Sequence, residues 1–278
     1  MLNNENYFSV ENNLKYMSVS QFKAFENCPA SAYAEVTGNY EREKTTALLV
    51  GSYVDAHFEG SLDVFKAHNP QLFKRDGSLK SDYIKAEQII NRVEQDDLFM
   101  KYMSGEKQVI MTGTIAGVEV KIKVDSLHTD KIVDLKVMRD FEPIYVAEKG
   151  RLNFIEAWRY DLQGAVYQEI VRQNTGKVLP FYIAAVTKEK EPDLAVIEIP
   201  QAYLEIEFEN FEKNVIKYDA IKKGLIEPER CEHCDYCKAT KVLKKPISLE
   251  NSLLNPRYSP ITTIASSTRD WALDKNQL

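Results

Sequence analysis

Three charged residues in the middle of the chain, Asp125, Asp134 and Lys136, have the types and spacing needed for metal-dependent phosphate chemistry. They lie in residues 118–125 and 131–137, where apolar and polar residues alternate with a period of two, as in β-strands. We therefore expect each strand to bury an apolar face and present a polar face bearing these side chains. Two converging carboxylates can bind a hard divalent cation. The cation would polarise a phosphate and lower the pKa of a water, while the lysine would orient the nucleophile and offset developing charge.

A second set of candidate ligands consists of the four cysteines: Cys28, and Cys231, Cys234 and Cys237 in the run CEHCDYC. In a reducing compartment this spacing predicts metal or cluster binding rather than disulfides. Four thiolates suit either a structural Zn²⁺ ion or a [4Fe-4S] cluster, and free thiols are the alternative. We expect a structural role, because a metal held by four cysteines keeps no open coordination position.

The elements that must position these residues follow a mixed order. Apolar periodicity predicts five helices, at residues 20–28 with a cap at Ser18 or Ser20, 45–60, about 83–98, about 155–173 and about 201–223. Alternation predicts five strands, at residues 107–115, 118–127, 131–138, 179–189 and 193–200. We expect a tight turn at Ala116-Gly117, a helix stop at Gly176 and a close contact at Gly51.

This order of elements predicts a layered α/β or α+β domain. We expect a single domain over residues 17–245. A polar leader, residues 1–16, precedes it, and an irregular tail rich in Ser, Thr, Asn and Pro, residues 246–278, follows it.

Composition limits the classes of function. The 278 residues are 44% hydrophobic and 28% charged, with a net charge of −6, and this balance counts against a protein that coats nucleic acid non-specifically. A nuclease is still allowed, because it needs acidic ligands and only a local basic groove. The sequence contains no stretch of 18 apolar residues that would predict a membrane span. The start of the chain lacks the apolar region of a secretory signal. We therefore expect a cytoplasmic protein without membrane association.

Several motifs in the correct order resemble one family. Residues 123–137, KVDSLHTDKIVDLKV, resemble the D-x(n)-(D/E)-x-K core of the PD-(D/E)XK nucleases. The next helix carries YDLQGAVYQEI, which is similar to the Q-x3-Y motif of the RecB-like branch, at Gln163 and Tyr167. Residues 18–33, SVSQFKAFENCPASAY, resemble the opening segment of that branch. The resemblance covers about residues 17–245 and is strongest to phage and prophage exonucleases such as exodeoxyribonuclease VIII (RecE).

The resemblance implies a fold and an activity. The fold is a three-layer α/β (α+β) restriction-endonuclease-like core, in which a mixed central sheet is flanked by helices. The activity is that of a metal-dependent exonuclease that resects linear duplex DNA from 5′ to 3′ in phage recombination. The implied ligands of Mg²⁺ or Mn²⁺ are the carboxylates of Asp125 and Asp134 and the backbone carbonyl of Leu135. Lys136 would serve the attacking water, and Gln163 and Tyr167 would contact the substrate strand. The last two lie on one helical face because they are four residues apart, although Tyr167 could instead be a core residue.

One motif of the branch differs in this chain. The branch commonly has a metal-binding histidine in a G-x3-H motif, and here the glycine is Gly51 and the fourth residue after it is Asp55. Aspartate is a competent ligand for Mg²⁺ or Mn²⁺, so we expect Asp55 to replace the histidine. His57 should point away from Asp55, because it lies about 200° further round the helix.

The resemblance also implies an iron–sulfur cluster and macromolecular partners. Several RecB-like nucleases join one early cysteine to three late ones around a [4Fe-4S] cluster, which here would add Cys28 to the late triplet. Duplex DNA ends, a single-strand annealing protein and further copies of the chain in a ring are the implied partners.

Three other functions are compatible with parts of the sequence. A site-specific endonuclease of the same fold would need a recognition domain, and none is visible. A non-catalytic DNA-binding module need not keep the Asp, Asp and Lys that this chain retains. A zinc-binding interaction protein predicts a self-contained cysteine knuckle, which the distant Cys28 fits less well.

Overall fold

The structure, a computed structural model, describes residues 2–146 and 149–243 together with Pro246 and Ser248. Apart from those two residues, the predicted tail lies outside the described residues. The chain divides into two units, Met1–Glu229 and Arg230–Leu278. Among the described residues, no helix is both long enough and apolar enough to cross a membrane.

Seven α-helices, then five strands, two helices, two strands and a long helix follow one another in the described part of the first unit. Its helices are α1 (Val10–Lys15), α2 (Val19–Asn27), α3 (Pro29–Val36), α4 (Thr46–Glu59), α5 (Leu62–His68), α6 (Ser81–Glu94), α7 (Asp97–Tyr102), α8 (Phe154–Trp158), α9 (Tyr160–Thr175) and α10 (Gln201–Lys222). Its strands are β1 (Glu106–Ile115), β2 (Val118–Leu127), β3 (Ile132–Met138), β4 (Ile144–Val146), β5 (Gly150–Leu152), β6 (Phe181–Thr187) and β7 (Leu194–Glu198). All five predicted strands are confirmed, whereas the β4–β5 hairpin and the short helices α1, α3, α5 and α7 were not predicted.

Five strands form one mixed sheet in the order β1-β2-β3-β6-β7. The neighbours β1–β2, β2–β3 and β6–β7 are antiparallel, and β3–β6 is parallel. A two-residue turn joins β1 to β2, with φ of 50° at Ala116 and 79° at Gly117, as the twist of a tight hairpin requires. The predicted mixed α/β architecture and this turn are therefore confirmed.

Two hydrophobic clusters cover the two faces of the sheet. Ile132 and Ile183 belong to the cluster that includes α2, α9 and α10, whereas Val133 and Ala184 belong to the cluster that includes α4 and α6. Since successive strand residues point to opposite faces, β3 and β6 are buried on both sides. The prediction that β3 presents a polar face is thus wrong, because helices cover both faces of this central strand. Asp134 is consequently only 1% exposed.

The polar leader packs against β2 through Tyr7 and Asn13. Lys121, predicted on a polar strand face, is 1% exposed. Its ammonium donates to the carbonyl of Tyr7 and, at 2.9 Å, to Oδ1 of Asn13. Met17 forms a parallel bridge with Val120 at the edge of β2 that β3 leaves unpaired. The leader therefore supplies hydrogen-bond acceptors for the buried Lys121, and Met17, the residue after it, pairs with the open edge of β2.

The helix predicted at residues 155–173 is two helices, because Arg159 adopts a left-handed conformation with φ of 54°. Its guanidinium pairs with Glu26 on α2 and Glu207 on α10, so contacts distant in sequence hold this break. Gly176 ends α9 in the left-handed conformation, as predicted. The predicted close contact at Gly51 is wrong, since a Cβ there would meet no atom within 4 Å.

Candidate active site

The two central carboxylates meet where β2 separates from β3. The β2–β3 ladder consists of the pairs Leu127–Ile132 and Ser126–Val133, so the next opposed residues are Asp125 and Asp134. Instead of a further ladder bond, the Oδ2 atom of Asp125 accepts the Leu135 N–H at 2.9 Å. A side chain thus replaces the main-chain partner, and it fixes the Asp125 carboxylate against β3.

Asp134 is held from two sides. Its Oδ1 atom accepts a hydrogen bond from Nε2 of Gln163 on α9 at 2.7 Å, and its Oδ2 atom lies 2.5 Å from the ammonium of Lys136. The predicted residues Asp125, Asp134, Lys136 and Gln163 are therefore brought together by two strands and one helix.

Burial governs the charges of this cluster. It raises the pKa of Asp134 to about 7, and the negative charge of Asp125 adds to the effect while Lys136 opposes it. Burial lowers the pKa of Lys136, but the charges of Asp134 and Asp125 outweigh burial, so the pKa of Lys136 lies above its ordinary value. Lys136 is therefore a permanent cation beside a carboxylate that protonates readily.

Helix α4 brings Asp55 to the other side of Asp125. Asp55 lines a cavity of about 10 Å³ together with Asp125 and Leu135. Burial, followed by the charge of Asp125, raises the pKa of Asp55 well above its ordinary value. His57 points elsewhere and contacts Glu94 at 2.8 Å, as the helical spacing predicted.

The donor set fits a hard divalent cation. The charges of Asp125 and Asp134 raise the pKa of Asp55, and the charge of Asp125 raises the pKa of Asp134. A cation would relieve that repulsion. The amide oxygen of Gln108, which lines the same cavity, is buried and accepts no hydrogen bond from the described residues. Oxygen ligands of this kind are those that Mg²⁺ and Mn²⁺ prefer. A cavity of about 10 Å³ has room for about one water-sized occupant.

Tyr167 lies beside this cluster but has a structural contact. Its hydroxyl donates to the carbonyl of Lys123 at 3.1 Å, and its ring packs edge-on against Phe181 at 6.1 Å. This placement favours the core interpretation of Tyr167. A contact to a substrate strand stays a prediction.

A second lysine stands next to the carboxylates and was missed from the sequence. Lys23 on α2 donates to the carbonyl of Trp158 at 2.9 Å, and its ammonium lies 5.4 Å from the ring centre of Tyr160. Lys136 lies 5.1 Å from the same ring centre. Burial, then the charge of Lys136, lowers the pKa of Lys23 to about 7. None of the ion pairs among the described residues includes Lys23, and a bound anion would raise its pKa again.

Two further residues of the cavity, Glu59 and Gln108, were also missed. The sequence holds a signal for each. Glu59 follows Asp55 by four residues and so shares its helical face. Gln108 is opposite Asp125 in the hairpin register that the Ala116-Gly117 turn sets.

The three late cysteines lie together in the second unit, around the short helix α11 (Asp235–Ala239). The sulfur of Cys231 accepts the Cys234 N–H at 3.3 Å, and the sulfur of Cys234 accepts the Cys237 N–H at 3.4 Å. The sulfurs of Cys231 and Cys237 are 3.9 Å apart, close to the roughly 3.8 Å expected for two thiolates on one tetrahedral Zn²⁺ ion. Cys28 belongs to the first unit, where it caps the start of α3, and its part in a metal site stays a prediction.

Comparison with known proteins identifies the family. Residues 18–240 match a family model described as a PDDEXK-like domain of unknown function (DUF3799). The chain belongs to this family. The predicted PD-(D/E)XK resemblance and fold are thereby confirmed, whereas the RecE-like subtype stays a prediction.

A solved structure supports the same assignment. It is that of a protein from Eubacterium rectale described as a "putative exonuclease", which is 50% identical in sequence and superposes with a TM-score of 0.88. The match covers 90% of this chain and 97% of the other. None of the curated proteins matches the sequence.

Proposed function

We propose that this PDDEXK-like chain is a metal-dependent DNA exonuclease that hydrolyses phosphodiester bonds from the ends of linear duplex DNA. The observation that carries the proposal is the cluster of Asp134, Lys136 and Gln163 beside Asp125, with the 2.5 Å pair between Asp134 and Lys136. The similarity to a protein described as a "putative exonuclease" favours an exonuclease over an endonuclease.

The residues divide the chemistry among them. Asp55, Asp125 and Asp134, with the Leu135 carbonyl, would hold Mg²⁺ or Mn²⁺. The bound ion would neutralise the phosphate charge and lower the pKa of the attacking water. Lys136, a cation at all ordinary pH values, would orient that water and offset the charge that develops on the phosphate oxygens.

Substrate binding would use Lys23 in addition to Lys136. The ammonium groups of Lys23 and Lys136 are at most 10.5 Å apart, the sum of their distances to the Tyr160 ring centre. At roughly 3.4 Å of rise per nucleotide, this upper limit spans no more than about three nucleotides. Lys23 would therefore bind a backbone phosphate close to the one that is cleaved.

The finer assignments are also part of the proposal. By the resemblance to phage exonucleases, digestion would run from 5′ to 3′ and supply single strands to an annealing partner. A ring of several copies would keep the duplex in place, and the cysteines would hold a structural Zn²⁺ ion or a [4Fe-4S] cluster.

The test is a time course on end-labelled linear duplex DNA and on a closed circle, with Mg²⁺ and with a chelator. We expect degradation of the linear duplex only, dependent on Mg²⁺ and abolished by Lys136→Ala. Lys131→Ala is the matched control, because Lys131 precedes the same strand and pairs with the exposed Asp130 at 2.7 Å instead. Cutting of the circle would identify an endonuclease. A wild-type protein that leaves both substrates intact would refute the enzymatic proposal.

A further inference from the structure

The residue opposite Asp125 on the neighbouring strand has a strained backbone. Gln108 adopts φ of 53° within β1, a left-handed value that glycine tolerates but a residue with a Cβ atom rarely adopts. Its neighbours on both sides remain paired with β2. A conformation of this kind is unfavourable for a residue other than glycine and tends to persist at functional sites. The strain therefore calls for an explanation in what the side chain does.

The Gln108 side chain is oriented by one atom and exposes the other to the cavity. Its Nε2 atom donates to Oδ1 of Asp125 at 3.2 Å. Its Oε1 atom is buried and accepts no hydrogen bond from the described residues. The residue lines the same cavity as Asp55, Glu59 and Leu135. An amide oxygen is a hard ligand, and here it adds an oxygen without adding negative charge to a crowded set of carboxylates.

We infer that Gln108 is a metal-site residue, whose amide oxygen binds the divalent cation held by Asp55 and Asp125 while its amide nitrogen positions Asp125. The inference rests on the proposed function, since it concerns the ion of that same site. Its backbone strain is then the cost of placing the amide in the cavity.

Two substitutions separate this role from a simple bracing of Asp125. Gln108→Gly removes the amide and relieves the strained φ, so the chelator-treated protein should be at least as stable as wild type. Its affinity for Mn²⁺ should nevertheless fall by about 10- to 100-fold, the usual cost of losing a group that supports a metal site. Gln108→Glu exchanges the amide for a carboxylate of equal reach. A carboxylate oxygen can still bind the cation but cannot donate to Asp125. Retained Mn²⁺ affinity therefore indicates a ligand, whereas a residue that only braced Asp125 would lose affinity in Gln108→Glu as in Gln108→Gly.

The measurement is calorimetric titration of Mn²⁺ into the full chain after removal of divalent ions, without DNA. Gln168→Leu is the matched control, because it removes a buried glutamine whose amide instead donates to the Leu179 carbonyl at 2.9 Å. We expect Gln108→Glu to bind Mn²⁺ at least as tightly as wild type, Gln168→Leu to bind it as tightly as wild type, and Gln108→Gly to bind it more weakly. Wild-type affinity in Gln108→Gly, or weaker binding in Gln108→Glu than in wild type, would overturn the inference.

Testing the same proteins on linear DNA distinguishes a failure of the exonuclease proposal from a failure of the metal-binding role of Gln108. If wild type binds Mn²⁺ through Gln108 but leaves DNA intact, the exonuclease proposal fails and the metal-site role stands. If wild type degrades DNA and Gln108→Gly binds Mn²⁺ normally, only the role of Gln108 fails. A wild type that binds no Mn²⁺ refutes both.

Discussion

Replacing Gln163 with alanine should weaken the metal site without unfolding it. Gln163 donates to Oδ1 of Asp134 at 2.7 Å, and a hydrogen bond to a charged group contributes about 1.5–3 kcal/mol. Because this hydrogen bond stabilises the ionised form of Asp134, its loss should raise the pKa of Asp134 further. The Asp134 carboxylate would then bind a proton in preference to the metal. The expected loss of Mg²⁺ or Mn²⁺ affinity is about 10- to 150-fold, the factor that corresponds to that energy.

The assay is calorimetric titration of Mn²⁺ at pH 7.5 into chelator-treated protein, together with single-turnover cleavage of linear DNA. Tyr167→Phe is the matched control on the same helical face, because its hydroxyl contacts the Lys123 carbonyl at 3.1 Å. This control should lose about 0.5–1.5 kcal/mol of stability and retain its metal affinity. Unchanged Mn²⁺ affinity in Gln163→Ala, or an equal loss in Tyr167→Phe, would refute the reasoning.

Three further predictions concern charge, packing and the cysteines. Because the pKa of Asp134 is about 7 in the folded protein and about 3.9 in an unfolded chain, the native state binds more protons between these values. Stability in a chelator should therefore fall as pH rises from about 4 to 7, by up to about 1.4 kcal/mol per pH unit from this group. Urea unfolding across that range checks this, and an identical slope in Asp134→Asn would contradict it. Gly164→Ala should cost about 1–3 kcal/mol, because a Cβ there would lie 2.6 Å from a Phe181 ring carbon. Gly51→Ala, where the space is open, should instead stabilise by up to about 1 kcal/mol; similar melting shifts in both variants would be inconsistent with this account. Metal analysis should find zinc or iron that is lost in Cys234→Ser, and parallel loss in Cys28→Ser would identify the fourth ligand. The metal found would decide between a Zn²⁺ ion and a [4Fe-4S] cluster, whereas a wild-type protein free of both metals would contradict the cysteine site.

The parts of the site that could be predicted are those set by local periodicity. Alternation along two strands located Asp125, Asp134 and Lys136, because side chains two residues apart share a face. Helical spacing put Gln163 and Tyr167 on one face of their helix and turned His57 away from Asp55. These are properties of a few consecutive residues, so a single sequence contains them.

The missed residues depend on contacts that no local pattern encodes. Lys23 reaches the site because α2 packs beside α8, whose last residue, Trp158, accepts its hydrogen bond. The break at Arg159 is held by Glu26 and Glu207, which are 133 and 48 residues away. Only the three-dimensional arrangement of the helices brings these groups together.

The prediction of a shared polar strand face was wrong for a reason that bears on the chemistry. A solvated face would leave Asp134 with an ordinary pKa and would screen the charge of Lys136. Burial on both faces of β3 instead raises the pKa of Asp134 to about 7, so the carboxylate stays ionised at neutral pH only when positive charge is near. Lys136 supplies part of that charge at 2.5 Å, and a divalent cation would supply the rest. In the proposed function, the ion would bind where β2 separates from β3 and the Asp125 carboxylate occupies the place of a backbone hydrogen bond. The sheet itself, rather than a loop above it, would thus create both the need for a cation and the space that receives it.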